Sequence, residues 1–101
     1  MARFDVDGAR DRLRAQGGGY EIVHASPGME LGVYVPPLPD PQQPHEADEA
    51  YLVLEGECVL EVAGEGVRLG PGDGAFVAAR VEHRFVEFEA LELVLLVVFQ
   101  R

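Results

Sequence analysis

From Gly19 onward the chain is a succession of short apolar-rich segments, interrupted by Gly or Pro roughly every 8–12 residues, the cadence of an all-β chain. Tyr20–Ala25 gives way to Ser26-Pro27-Gly28, and Met29–Val35 to a proline-rich stretch. Glu49–Leu54 ends at Glu55-Gly56, Glu57–Ala63 at Gly64-Glu65-Gly66, and Val67–Leu69 at Gly70-Pro71-Gly72-Asp73-Gly74. Ala75–Ala79, Arg84–Phe88 and Leu91–Phe99 follow. Strands recurring at this spacing with Gly/Pro turns between them predict a β-sandwich or barrel. Five of the seven prolines fall between Pro36 and Pro44, which makes that stretch an extended connector and excludes it from a central strand. Leu91–Phe99 is apolar almost throughout, as in a strand covered on both faces. In so small a protein the second cover is expected from another subunit, which predicts a homodimer.

The start of the chain reads differently. Residues 5–16 predict a short helix: Asp5 or Asp7 can cap it, arginines crowd its C-terminal end, and Gly17-Gly18-Gly19 stops it. Its apolar stripe is only Val6, Ala9 and Leu13, so it should lie across a larger body rather than form a core. Its Arg/Asp run is expected to be a solvated face. With 101 residues there is one core, divided into an N-terminal helical segment (1–18) and a β domain (19–101).

Charge narrows the partners. The net charge is −10, and after Arg14 only four of the eight arginines remain against fifteen acids. Such a surface repels phosphate backbones and anionic lipid, so neither nucleic acid nor a membrane is expected as a partner. The longest apolar run, Leu93–Phe99, is far short of the roughly 20 residues of a membrane span, and no signal-like run opens the chain; a cytoplasmic protein is the expectation. There is no Lys, Thr, Asn or Trp, and Ser26 is the only serine. A Gly-Lys-Ser/Thr phosphate loop and a Schiff-base lysine are therefore excluded. Cys58 stands alone, so there is neither an internal disulfide nor a thiolate metal cage; its alternation with Leu60 and Val62 reads as a small buried hydrophobe.

Chemistry then rests on three histidines. His24, in Ile-Val-His-Ala-Ser with no neighbouring acid, reads as an ordinary strand residue. His45 and His83 sit among turns and carboxylates. The stretch His45–Leu54 fits helical spacing as well as strand spacing, and as a helix it would set His45 and Glu49 one turn apart. The strand reading is preferred because β-forming residues follow directly. On a straight strand residues four apart stand about 13 Å apart, whereas metal bonds to His and carboxylate are about 2.0–2.2 Å. His45 and Glu49 can share an ion only if the chain reverses at Glu46-Ala47-Asp48, joining two neighbouring strands, with His83 arriving from a third.

These residues resemble a known family. Pro44-His45-(x)3-Glu49-(x)6-Gly56 is similar to the first cupin motif, Gly-(x)5-His-x-His-(x)3–4-Glu-(x)6-Gly. Gly72-(x)5-Ala78-x-Arg80-(x)2-His83-(x)3-Glu87 is similar to the second, Gly-(x)5-Pro-x-Gly-(x)2-His-(x)3-Asn. The resemblance implies a small single-domain cupin of the conserved-barrel type: an all-β jelly-roll barrel with a short N-terminal helix. It also implies one divalent transition metal (Zn, Fe, Ni or Mn) held by His45, Glu49 and His83. The leading His of the first motif falls on Gln43, whose amide oxygen would be a weak fourth donor. The second motif's Pro, Gly and Asn fall on Ala78, Arg80 and Glu87.

Two imidazoles and a carboxylate leave open positions, which suits iron(II) oxygen chemistry or a Lewis-acid role. Because the ligands must be neutral imidazoles, affinity should fall as pH drops through about 6–7. Alternation puts Tyr51 and Val53 on the face of Glu49, and Phe85 on that of His83, so Tyr51 and Phe85 are candidate pocket residues. Arg80 and Arg84 are the only basic groups near His83, which favours a neutral or aromatic ligand. The function expected is a metal-dependent enzyme acting on a small molecule bound in the barrel, oxygenase (dioxygenase-like) or isomerase in type, with no catalytic residue assigned. The alternatives are a non-catalytic metal or small-ligand binding module, serving as sensor or partner subunit, or a structural barrel with a decayed metal site.

Overall fold

The helix begins where an aspartate can cap it. In the computed structural model, which describes residues 1–101, α1 spans Val6–Ala15, and the Asp5 carboxylate accepts the Gly8 N–H at 3.0 Å. Gly17 and Gly18 turn the chain at positive φ into the first strand, Gly18 N–H closing the helix on the Leu13 carbonyl at 2.8 Å. Eight strands follow: β1 (Gly19–Ser26), β2 (Met29–Val35), β3 (Glu49–Glu55), β4 (Cys58–Val62), β5 (Glu65–Leu69), β6 (Gly74–Val77), β7 (His83–Val86) and β8 (Val94–Gln100). All pair antiparallel, in a five-stranded sheet ordered β1-β2-β8-β3-β6 and a three-stranded sheet ordered β5-β4-β7. The two sheets face one another as the all-β jelly-roll barrel.

Strict alternation fills the space between the sheets. Tyr51 and Val53 of β3, Leu95 and Val97 of β8, Cys58 and Leu60 of β4, and Phe85 of β7 are all buried in one cluster. A second, smaller cluster lies outside the barrel, where Ala9 and Leu13 of α1 pack on Val33, Val35 and Val94. The helix therefore supplies cover for the outer face of β8 at its Val94 end, a role the sequence had suggested for another subunit. Beyond the helix, the register puts Leu31, Leu52, Leu96 and Val98 on the same outer face, with Met29 and Phe76 exposed beside them.

Three local expectations are corrected. The long apolar run starts as a strand only at Val94: Ala90–Glu92 is a turn, and Leu91 adopts φ 66°. The reversal before Glu49 joins no pair of strands; Glu46 and Ala47 form a bend, and His45 lies at the end of the irregular connector. The arginines of α1 are not merely solvated. Arg10 and Arg14 grip opposite oxygens of Glu55 on β3, at 2.7 and 3.1 Å, Arg14 also donates to the Leu91 carbonyl, and Arg12 pairs with Glu21 on β1.

Candidate metal centre

The inward face of β3 delivers Glu49 and Tyr51, the first residue of β7 delivers His83 from the opposite sheet, and the connector delivers His45. Atoms of His45, Glu49 and His83 come within 4.8 Å of one another. His83 Nε2 lies 2.8 Å from Glu49 Oε1, both side chains being about 1% exposed, while His45 Nε2 lies 3.8 Å from the same oxygen and is partly open. The imidazole rings are 5.4 Å apart, centre to centre.

The proton inventory around His83 shows what the cluster lacks. Its Nδ1–H donates to the Val81 carbonyl at 2.8 Å, which fixes the ring and leaves a lone pair on Nε2. The Tyr51 hydroxyl donates its one proton to Gln42 Oε1 at 2.9 Å, so an oxygen lone pair faces His83 Nε2, also at 2.9 Å. Three electron-rich atoms (His83 Nε2, Glu49 Oε1 and Tyr51 Oη) thus converge with no proton between them, unless His83 is charged. Burial alone would lower the basicity of His83. The Glu49 hydrogen bond, the Val81 carbonyl and the charges of Glu49 and Asp40 outweigh it and raise the pKa above the ordinary value. The other Glu49 oxygen, Oε2, is buried with no partner at all. An orphaned carboxylate oxygen and convergent lone pairs are what a bound cation resolves, and two imidazoles with one carboxylate form a transition-metal set. The residues fit a divalent metal.

The glutamine that adjoins the cluster is the neighbour of the one suggested by the motif. Gln43 is exposed and lies outside the cluster. Gln42 turns in instead, its Oε1 accepting from Tyr51 and standing 3.4 Å from His45 Nε2. It is held there by Asp40, a buried acid that no sequence motif singles out. Asp40 accepts from Tyr34 Oη, from the Gln42 backbone and side-chain N–H groups, and from the Phe85 backbone N–H at 2.8 Å. It thereby ties the connector to β2 and β7, one strand from each sheet. A single carboxylate inside a proline-rich segment was the available signal, since such a residue must find donors when the segment is buried.

Tyr51 lines a cavity of about 380 Å³ whose walls include His45, Gln42, Tyr20, Tyr34 and Phe99. Phe85, expected to line it too, does not: it lies 1% exposed in the core, edge-on to Tyr51 at 5.0 Å. Burial, together with the nearby Glu49 charge, raises the Tyr51 pKa well above the phenolic range, so its hydroxyl stays protonated. Arg80 and Arg84 are exposed and face Glu46 and Glu61, at 3.7 and 2.9 Å. Cys58 is buried and its thiol is pushed up to about 11 by that burial, which removes it as a nucleophile. His24 lies on β1 and takes no part in the cluster.

Comparison with known proteins agrees with this architecture. The sequence profile of the cupin domain matches residues 32–99. A Streptomyces coelicolor protein, SCO3923, is 31% identical over 101 residues, spanning 98% of this chain and 95% of that one. The crystal structure of TT1209 from Thermus thermophilus matches with a TM-score of 0.74 at 30% identity, over 99% of this chain and 97% of that one. The iron(II) form of HppE in complex with substrate shares the fold at a TM-score of 0.63 and 22% identity, over 81% of this chain and 52% of that one. With the profile running from β2 to β8, and both of its motifs meeting at one point inside the barrel, this chain belongs to the cupin family.

Proposed function

We propose that this protein is a metal-dependent enzyme acting on a small molecule held in the mouth of the barrel, oxygenase or isomerase in type. The observation that carries the reading is Glu49, whose Oε2 is buried without a partner while its Oε1 lies 2.8 Å from His83 Nε2 and 3.8 Å from Nε2 of His45, a residue of the cavity wall. His45, Glu49 and His83 would hold the ion, which supplies Lewis-acid activation or, as iron, oxygen chemistry. The chain's own contribution is positional. Val81 fixes the His83 ring, Tyr51 keeps its proton on Gln42, and the buried aromatic walls exclude water from one side of the cavity.

The test is elemental analysis of the protein as purified, with His83→Ala as control. The reading expects about one transition metal per chain, its loss on chelation and in the variant, and turnover that returns with the metal. Native protein free of metal, and showing no thermal shift with zinc, iron, nickel or manganese, overturns it.

A second reading is a metal or ligand-binding module without turnover. It is favoured by the Tyr and Gln side chains of the cavity wall, whose protons are already committed to partners within the protein, leaving no free acid or base beyond the metal ligands. Metal or ligand binding without turnover across a substrate panel selects it.

We also propose a homodimer through the outer face of the five-stranded sheet. At net charge −10 most of the surface repels a second copy. The stretch from Met29 and Leu31 across Val98 to Phe76 is apolar with Asp48 at its edge, and is where two copies can meet with least repulsion.

A further inference from the structure

The walls of the cavity, taken together, specify a ligand class. Four aromatic side chains (Tyr20, Tyr34, Tyr51 and Phe99) and the His45 ring surround it. They stand edge to face: Tyr20 to Phe99 at 5.9 Å and 83°, His45 to Phe99 at 5.2 Å and 76°, Tyr20 to Tyr34 at 6.4 Å and 65°. Each hydroxyl proton is already spent inside the protein. Tyr20 donates to Glu30 at 2.8 Å, Tyr34 to Asp40, and Tyr51 to Gln42. The Gln42 amide is turned onto Asp40, and the lining contains no Lys or Arg.

Two ligand classes are disfavoured by that inventory. An anionic group would find no Lys or Arg in the wall and would face Glu30, with Asp40 and Glu49 directly behind Tyr34, Gln42 and His45. A polyol would bring many hydroxyls into a site whose polar atoms are already paired, and each one left unsatisfied there forfeits its hydrogen bond to water. An uncharged ring meets neither obstacle and gains edge-to-face contacts. About 150 Å³ suffices for benzene in an apolar cavity, so one substituted ring fits in 380 Å³.

The outermost wall depends on one glycine. On the inward face of β2, a Cβ at Gly32 would overlap the Tyr20 ring at Cζ and Cε1 and its hydroxyl oxygen. The ring lies flat against the bare backbone there, fixed by Glu30, which Arg101 holds in turn and keeps below the usual carboxylate range.

We propose that the barrel mouth is an aromatic slot selecting an uncharged single-ring ligand of the phenol class, with Gly32 and Tyr20 as its specificity-determining pair. This rests on the cavity being the substrate site of the proposed enzyme, but the slot is built from the chain alone and is measurable without metal.

The experiment is calorimetric titration of phenol, phenyl phosphate, benzylamine and glucose into the zinc-loaded and the chelated protein. Phenol should bind the chelated protein at least tenfold more tightly than each of the others, and should also bind the zinc-loaded form. Gly32→Ala should weaken phenol about tenfold while leaving metal content unchanged. Tyr20→Leu, at a part-exposed site that tolerates the change, should do the same should the alanine variant fold poorly. Tighter binding of phenyl phosphate, benzylamine or glucose to the chelated protein, or phenol affinity unchanged in both variants, overturns the slot. Absence of metal in the native protein overturns the enzyme reading, and phenol binding to the chelated protein then decides the slot on its own.

Discussion

A buried carboxylate with one unpaired oxygen is an unstable feature unless something binds to it, and Glu49 is such a residue. Replacing it with Gln keeps the shape, removes the charge and places an N–H donor in reach of the His83 Nε2 lone pair. An unpaired buried charge carries a desolvation cost that the neutral amide avoids. The metal-free Glu49→Gln protein should therefore melt at the same temperature as the parent or higher, by scanning calorimetry, yet lose the rise in melting temperature that added metal gives the parent. A variant that melts lower without metal would show that Glu49 is a structural partner of His83 and not a vacant ligand. At this scale the sequence was only partly legible. His45, Glu49 and His83 were legible through the resemblance to the two cupin motifs, and the fold brings them together. Spacing cannot say which of two adjacent glutamines faces inward: the connector has no strand periodicity, and Gln42 rather than Gln43 turns in because Asp40 captures its amide. Phe85 was on the expected face but too deep, since a face fixes direction and not depth.

Among the elements, α1 is the one held on by charge as much as by packing. Its buried surface is little more than Ala9 and Leu13, and Glu55 of β3 links it to the barrel through Arg10 and Arg14. Hydrogen bonding to Arg10, opposed by partial burial and helped by Arg14, holds the Glu55 carboxyl below its usual pKa. A lowered folded-state value means this contribution is complete above the unfolded value of about 4.3 and is lost as pH falls through the lower folded one. Glu55→Gln should thus cost about 0.5–1 kcal/mol near neutrality, discounted because the pair is partly exposed. In urea melts the gap between variant and parent should close below about pH 4. A gap that stays constant down to about pH 3 would assign the effect to packing. The helix itself could be read from its capping aspartate and its glycine stop. The tether could not, because Arg10, Arg14 and Glu55 are distant in sequence and look like ordinary surface charges until the fold joins them.

For the whole molecule, the two-layer barrel was legible because Gly and Pro turns fix strand lengths and alternation fixes the faces. What alternation leaves open is the environment of an outward face. The outer face of β8 receives α1 at Val94, while Leu96 and Val98 extend into the apolar area that ends at Phe76. Light scattering should give twice the 11.0 kDa chain mass for the parent, and Phe76→Asp should reduce it to the single-chain value without unfolding the barrel. A parent that sizes as one chain at tens of micromolar would remove the dimer. The division of labour at the centre has a further consequence. Glu49, Tyr51 and His83 ride on paired strands, whereas Gln42 and His45 ride on a strap fastened at Asp40. Scaffold and selectivity are thereby separable: exchanging the strap alone should retune which ion or guest is preferred while the sheets stay intact, a modular handle for redesigning this barrel.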